Sequence, residues 1–353
     1  MENQNILVND KDTDSIKSDN SSDGTASGLS PFIKSIIEKL KEKKKISEVS
    51  IKVYLRNLKK LNNNTDITDN KFEFLKDTPK VIEKLSNFKE TTKRNYLISI
   101  VSILSLFKDG DSSPGHKELH DTYHSMMMVK RDLISDAIST GSKSETQELN
   151  WIDWESVKTE HKNLGVKVDS FYKRKSITPE EFQTLTAYMI LSLYCLIPPR
   201  RNKDYCLMRV VDTFKPELDQ NFNYLDLVKK KFIFNNYKTS KKYGRFDLVI
   251  PRALMLVVNK YIKHRASKFP LDDNDNKPFL VKPDGSALDK SNDITKTLNK
   301  VFGKAIGSSM LRHIFLTDKY STTFKQAKID SEIMGHSSEE QKKYIKEKLT
   351  ITV

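Results

Sequence analysis

Cysteine is nearly missing from this chain: Cys195 and Cys206 are the two in 353 residues, and both lie in or beside an apolar run. That scarcity excludes a disulfide framework and a cysteine-built metal cluster, and it predicts buried thiols in a reducing compartment. Long apolar runs are missing too, since the longest, about residues 185–197, is too short to cross a bilayer. The first residues hold neither the basic n-region nor the apolar h-region of a signal peptide, so an intracellular protein is expected. Acid is in deficit, with 47 Asp and Glu against 61 Lys and Arg. Arginine is itself scarce, supplying only 11 of those 61 cations, so each arginine deserves a reason.

The charge that is present is uneven. Residues 1–30 carry six acids against two lysines, a net of −4, which leaves +18 for residues 31–353 out of the +14 of the whole chain. Each phosphate neutralised by Lys or Arg releases condensed counterions, so such an excess points to a polyanion, with double-stranded DNA as the first candidate. A lysine-rich composition alone is the plainer explanation. The length favours two domains plus linkers.

Patterning divides the chain. Residues 1–30, rich in Asp, Ser, Asn and Gly, bury too little apolar surface to order themselves and are expected to be a disordered acidic arm. From 31 to 138 the text is helical. Phe32, Ile36, Ile37 and Leu40 recur at helical spacing. Val53, Tyr54, Leu55, Leu58 and Leu61 follow in a helix starting near Ser47 or Ser50, and short helices fill 71–86. A further helix opens at Glu90, with Thr91 and Thr92 expected as its cap and Leu97, Ile100, Val101, Ile103 and Leu104 inside. Residues 139–173 turn polar and predict a linker with one short amphipathic piece. The domain at 174–353 starts at Thr178-Pro179-Glu180-Glu181, a capping pattern with Pro in the first turn and acids against the dipole. Residues 231–250 are the one convincing β segment, a hairpin with a basic tip. The fold class expected is mainly α with a small β-sheet or hairpin.

Five positions then stand in order. Arg201 follows Pro198-Pro199-Arg200 and precedes Asp204 by three residues; Lys238 lies at the hairpin; Arg312 precedes His313; His336 follows Gly335; Tyr344 comes last. In order and spacing these resemble the tyrosine recombinase, or phage-integrase-like, family. The stretch Pro198-Pro199-Arg200-Arg201-Asn202-Lys203-Asp204-Tyr205 looks most like integrases of large DNA viruses and their mobile elements. The likeness is strong over 176–344 and rests on helix pattern alone over 31–130.

What the resemblance implies is a two-domain DNA clamp, an all-α core-binding domain closing on DNA opposite a mixed α/β catalytic domain. Its activity would be site-specific recombination: a homotetramer cuts DNA through Tyr344, holds a 3′-phosphotyrosyl link, and exchanges strands through a Holliday junction, without metal, ATP or other cofactor. Arg201 and Arg312 would hold the phosphate, since planar guanidinium groups bind its oxygens bidentately. Lys238 would protonate the departing 5′ oxygen and His336 would hydrogen-bond a phosphate oxygen. Asp204 would orient Arg201 or a nearby histidine. A monomeric relaxase resembling type IB topoisomerases shares this chemistry, and a DNA-binding relative that has lost its activity is a further alternative.

Two departures from the family pattern stand out. Ser309 occupies the place, three residues before the second arginine, where many members have histidine, and His313 is the neighbour able to compensate. From His336 to Tyr344 is eight residues where nine is common. A one-residue change rotates a helix by about 100°, which predicts a tyrosine placed by a loop. For DNA contact the candidates are Lys44 and Lys45, the helix-opening Thr91, Thr92, Lys93 and Arg94, and Arg200, Lys241 and Lys242. Residues 349–353, strand-like in composition, are expected to add to a neighbour's sheet edge. His116, His120 and His124 share a helix face, yet no carboxylate or cysteine completes a metal site there, and Met126, Met127 and Met128 are expected as core filler.

Overall fold

The computed structural model describes residues 30–69, 71–108, 115–139, 141–268 and 277–345. Residues 1–29 of the expected acidic arm, and the segment 349–353, lie outside them. The described chain is mainly helical with one small mixed sheet, and it falls into two compact units that part between Lys143 and Ser144.

The first unit contains α1 (Pro31–Lys44), α2 (Glu48–Leu61), α3 (Glu73–Lys76), α4 (Thr78–Leu85), α5 (Glu90–Leu104) and α6 (His116–Ser139). Ser30 accepts a hydrogen bond from the Ile33 amide and Pro31 opens the first turn, while Lys45 ends α1 in the left-handed region. Ser47 caps α2 in the same way. At the centre of the unit α5 buries Leu97, Ile100, Val101 and Ile103. Buried polar groups there are paired: Asn57 donates to Ser99 at 3.0 Å, and the Tyr123 hydroxyl donates to the Leu75 carbonyl at 2.8 Å. The threonines expected to cap α5 lie inside it. Lys89 is its cap, without a side-chain hydrogen bond, because the helix starts one residue before Thr91.

Past Lys143 the expected linker folds instead. It forms α7 (Glu145–Asn150) and α8 (Trp154–Asp169), and Trp154, Val157, Leu164 and Val168 belong to the core of the second unit. Four apolar residues spread over four turns among polar ones make a weak signal in sequence, yet all four enter the core as α8 packs against α9 (Pro179–Cys195). Helix α9 begins with the capping box of Thr178 and Glu181. Pro198 and Pro199 then separate it from α10 (Asn202–Cys206).

The sheet holds β1 (Met208–Val211), β2 (Asn223–Asp226), β3 (Lys231–Phe234) and β4 (Phe246–Val249) in that spatial order. β1 and β2 are parallel, with Met208 opposite Asn223; the other pairs are antiparallel, and Phe234 lies opposite Phe246. The hairpin of β3 and β4 was legible, but β1 and β2 were not. Four residues are too few to show alternation, and Asn223 and Asp226 read as turn residues although both are fully buried. Asp226 survives there by accepting from the Phe214 and Lys229 amides. The hairpin tip is more ordered than a plain loop, since α11 (Ser240–Tyr243) makes one helical turn before Gly244.

Residues 277–279 cover the outer side of β1, with the Val210 amide donating to Lys277 and the Phe279 amide to Met208. They are held by the guanidinium of Arg265, a buried residue of α12 (Arg252–Lys268), which donates to the Pro278 carbonyl. The chain closes with α13 (Ser291–Phe302), α14 (Ser308–Met334) and α15 (Ser338–Tyr344). No described helix is long and apolar enough to cross a membrane.

Candidate active site

The turn after Pro198-Pro199 sorts its side chains by burial. Asn202, Asp204 and Tyr205 point into the protein, Lys203 points out, and Arg200 and Arg201 are half-buried. Asn202 bolts the turn to two helices. It accepts from the Tyr194 hydroxyl of α9 at 2.6 Å and donates to the Ser291 carbonyl and Thr295 hydroxyl of α13. Three hydrogen bonds on one buried amide leave it little freedom.

The two adjacent arginines differ. Arg200 donates from Nε to Asp204 at 2.9 Å, and its guanidinium lies 3.8 Å from the Phe234 ring centroid, with Tyr237 and Phe246 also close. It is thus engaged by an acid and three rings, the contacts of a residue that holds the turn. The expected pairing of Asp204 with Arg201 is corrected, because a helical turn sets residues four apart side by side. Arg201, the N-cap of α10, makes no side-chain hydrogen bond or ion pair with the described residues. Its guanidinium is left to act on something else.

Arg312, far along the sequence, lies within electrostatic range of the same carboxylate. Burial pushes the Asp204 carboxyl up, and the charges of Arg200, Arg201 and Arg312 pull it back. Three guanidinium groups thus act on one buried carboxylate, which leaves a local excess of positive charge. Arg312 lies in the second turn of α14 and is half-buried, and its Nε donates to the Ser308 carbonyl at 3.2 Å. Ser309, expected in place of a histidine, is half-buried in the first turn of α14, as is His313 next to Arg312.

The hairpin that carries Lys238 is anchored to this turn. Asn223, fully buried, donates from Nδ2 to the carbonyls of Asp204 and Asn236, while its Oδ1 accepts from the Asn236 amide. The Tyr237 hydroxyl closes the tip by donating to the Gly244 carbonyl. Lys238, Lys241 and Lys242 are exposed around it. Sequence reading missed Asn202, Asn223, Ser308 and Phe234 as parts of the site. Asn202 lay within the recognised motif, whereas Asn223 gave no signal of its own.

His336 and Tyr344 are brought together, but elsewhere. Gly335 ends α14 in the left-handed region, the His336 amide donates to the Ser331 carbonyl, and Ser337 caps α15 by accepting from the Glu340 amide. The rings of His336 and Tyr344 then stack with centroids 5.6 Å apart. Tyr344 is the last residue of α15, so it is placed by a helix, correcting the expectation of a loop. Met334 ends α14 about 33 Å beyond Arg312, at the helical rise of about 1.5 Å per residue. Within one chain, then, Arg201 and Arg312 lie within electrostatic range of Asp204 and Asn223 ties the Lys238 hairpin to the same turn, while His336 and Tyr344 stand apart at the far end of α14.

Among the other candidates, Lys44 and Lys45 are exposed at the end of α1. Thr91, Thr92, Lys93 and Arg94 are half-buried in α5, and Lys93 pairs with Glu90 at 2.8 Å, which lowers its call on an outside phosphate. Both cysteines are free thiols, and burial pushes Cys195 up to about 11 and Cys206 up to about 12, so neither is a ready nucleophile. His116 and His120 are buried, and His116 packs edge-on to Phe72. No family model, no curated protein and no solved structure matches this chain.

Proposed function

We propose that this protein is a site-specific DNA recombinase that cuts and rejoins strands through Tyr344. The observation that carries the reading is that the charges of Arg201 and Arg312, far apart in sequence, both act on the buried Asp204, in the turn to which Asn223 ties the Lys238 hairpin. A DNA phosphodiester suits such a place, because three guanidinium charges act on one buried carboxylate and leave a net positive charge toward which non-bridging oxygens are drawn. In the reaction the Tyr344 oxygen bonds to phosphorus as the bond to the 5′ oxygen breaks. Lys238 gives that oxygen its proton, and the phenol proton goes to the imidazole of His336, against which the tyrosine ring lies. The phosphotyrosyl ester keeps the bond energy, so rejoining to the 5′ hydroxyl of another duplex reverses these steps.

The partner is double-stranded DNA, drawn to a chain with a charge of +14. Assembly as a tetramer and exchange through a Holliday junction complete the reading. A monomeric relaxase fits less well, because it needs Tyr344 and Arg312 at one phosphate within one chain.

A randomised library of duplexes, each nicked near its centre, tests this. The short downstream fragment, which leaves with a free 5′ hydroxyl on cleavage, diffuses away and so traps the adduct. A covalent protein–DNA species that is absent with Tyr344→Phe, and DNA joined between two duplexes, are the expected results. Binding without any adduct would overturn the reading in favour of a DNA-binding protein.

A further inference from the structure

Asparagine side chains tie the arginine turn to the segment that leads to Lys238. The β2–β3 ladder ends with Tyr224 opposite Ile233, and β3 itself ends at Phe234. Beyond that pair, side-chain amides take over the work of ladder amides: Asn235 Nδ2 donates to the Phe222 carbonyl at 3.0 Å and Asn236 Nδ2 to the Asn221 carbonyl at 2.9 Å. Asn223 completes the set from β2. Its Nδ2 donates to the Asp204 carbonyl at 2.7 Å and to the Asn236 carbonyl at 3.0 Å, and its Oδ1 accepts from the Asn236 amide at 2.9 Å. Leu225, on the same face of the strand, shows that an apolar side chain is the ordinary occupant of such a fully buried place. One buried amide thus fixes backbone three residues after Arg201 and two residues before Lys238.

We infer that Asn223 is a positioning residue for the proton donor: it holds the segment before Lys238 against the turn of Arg201, so that the ammonium meets the 5′ oxygen of a phosphate drawn to that turn. The inference rests on the reading in which Lys238 protonates the oxygen that leaves. Asn223 is fully buried and acts through Lys238, touching neither phosphate nor leaving group. Lys241 and Lys242 share the exposed tip but lie five and six residues from Asn236, beyond the reach of its fixed backbone. In the step, the bond from phosphorus to the 5′ oxygen breaks as the Tyr344 oxygen bonds to phosphorus, and the Lys238 proton passes to the departing oxygen, which leaves as a hydroxyl. Where sulfur replaces that oxygen, the leaving group is a thiolate, a far weaker base than an alkoxide. It departs without a proton, and Lys238 keeps its own.

A change of leaving atom tests it. A duplex that yields the adduct in the randomised library is synthesised twice, with oxygen or with sulfur as the bridging 5′ atom at the cleaved phosphate, and adduct formation is timed in a single turnover. Asn223→Ala should slow the oxygen substrate by about 10–10²-fold, part of what general acid catalysis supplies, and the sulfur substrate by no more than about 2-fold. Lys238→Ala should show the same pattern more strongly. Asn202→Ala, which removes the bonds of the arginine turn to α9 and α13 and none to the hairpin, should slow both substrates alike. Circular dichroism checks folding; if Asn223→Ala does not fold, Asn236→Ala removes the neighbouring tie to Asn221 and should repeat the oxygen-specific loss in smaller measure. Equal slowing of the two substrates by the variant that folds, or slowing of neither, overturns the inference and leaves attack by Tyr344 standing. Equal slowing by Lys238→Ala overturns it as well, since the lysine then gives no proton. An absence of adduct from wild-type protein removes the underlying reading along with it.

Discussion

The arginine turn and the terminal arm hold their candidate residues in opposite ways. Around Arg201 the backbone is fixed by Asn202, Asp204 and Asn223, all buried and all hydrogen-bonded, and by a guanidinium stacked on Phe234. Around Tyr344 the holding contacts are a glycine cap, a serine cap and Ser331 lying 2.7 Å from Gln341, on a helix whose side chains face outward. The first region is decided by the core of its own chain. The second is decided by local helix chemistry and by whatever packs on it, which is why geometry is complete at one end and waiting at the other.

The largest expected effects separate the two regions by chemistry. Tyr344→Phe should abolish the covalent adduct and leave thermal stability unchanged, since the ring is 68% exposed. Arg201→Lys should lower the rate of adduct formation by about 10²–10³-fold, because an ammonium cannot reproduce a planar, bidentate contact. Single-turnover assays on nicked DNA read both. Equal residual rates for Arg201→Lys and wild type would dissolve the contrast.

Next comes a comparison within α14 itself. Ile314→Ala should cost about 2–5 kcal/mol, as a core truncation does, because Ile314 is buried near the arginine end. Ile333→Ala, at the exposed end, should change stability by no more than about 0.5 kcal/mol. Urea denaturation of the two variants side by side would break the distinction if the losses matched.

Asn223→Ala sharpens the arginine side alone. It leaves the Asp204 and Asn236 carbonyls without their donor and should cost about 1–3 kcal/mol. Hydrogen exchange should show loss of protection at the Asn236 amide, whose acceptor is removed, before the rest of the sheet.

The smallest effect concerns the hairpin. Arg245 and Lys231 hold the Asp247 carboxyl down to about 2, below the ordinary value of about 3.9. A depressed folded value means stability present above about pH 4 and lost as pH falls toward 2. Because the pair is partly exposed, Asp247→Asn should cost no more than about 1 kcal/mol at neutral pH. That cost should vanish when urea midpoints are compared near pH 2.

Legibility followed locality. Helices with a cap and a full apolar stripe, such as α1, α2 and α9, were readable because both signals lie within one short window. Helix α8 was taken for linker, and β1 and β2 were missed, because their burial comes from partners distant in sequence. In the site, residue types and order pointed to Arg201, Lys238, Arg312, His336 and Tyr344 together. The arginine that pairs with Asp204 is Arg200 where Arg201 was expected, since which of two adjacent arginines meets an acid depends on helix rotation and on the rings nearby.

By itself, the sequence determined the helical elements, the basic character, the hairpin with its lysine tip and the set of residue types able to hold and attack a phosphate. Those properties follow from neighbouring residues and from composition. Only the tertiary structure decided which of them meet. It brought two arginines within electrostatic range of Asp204, in a turn fixed by the buried amides of Asn202 and Asn223, and it left Tyr344 at the far end of a continuous helix, because packing closes distances that sequence cannot and helical rise opens distances that sequence does not display.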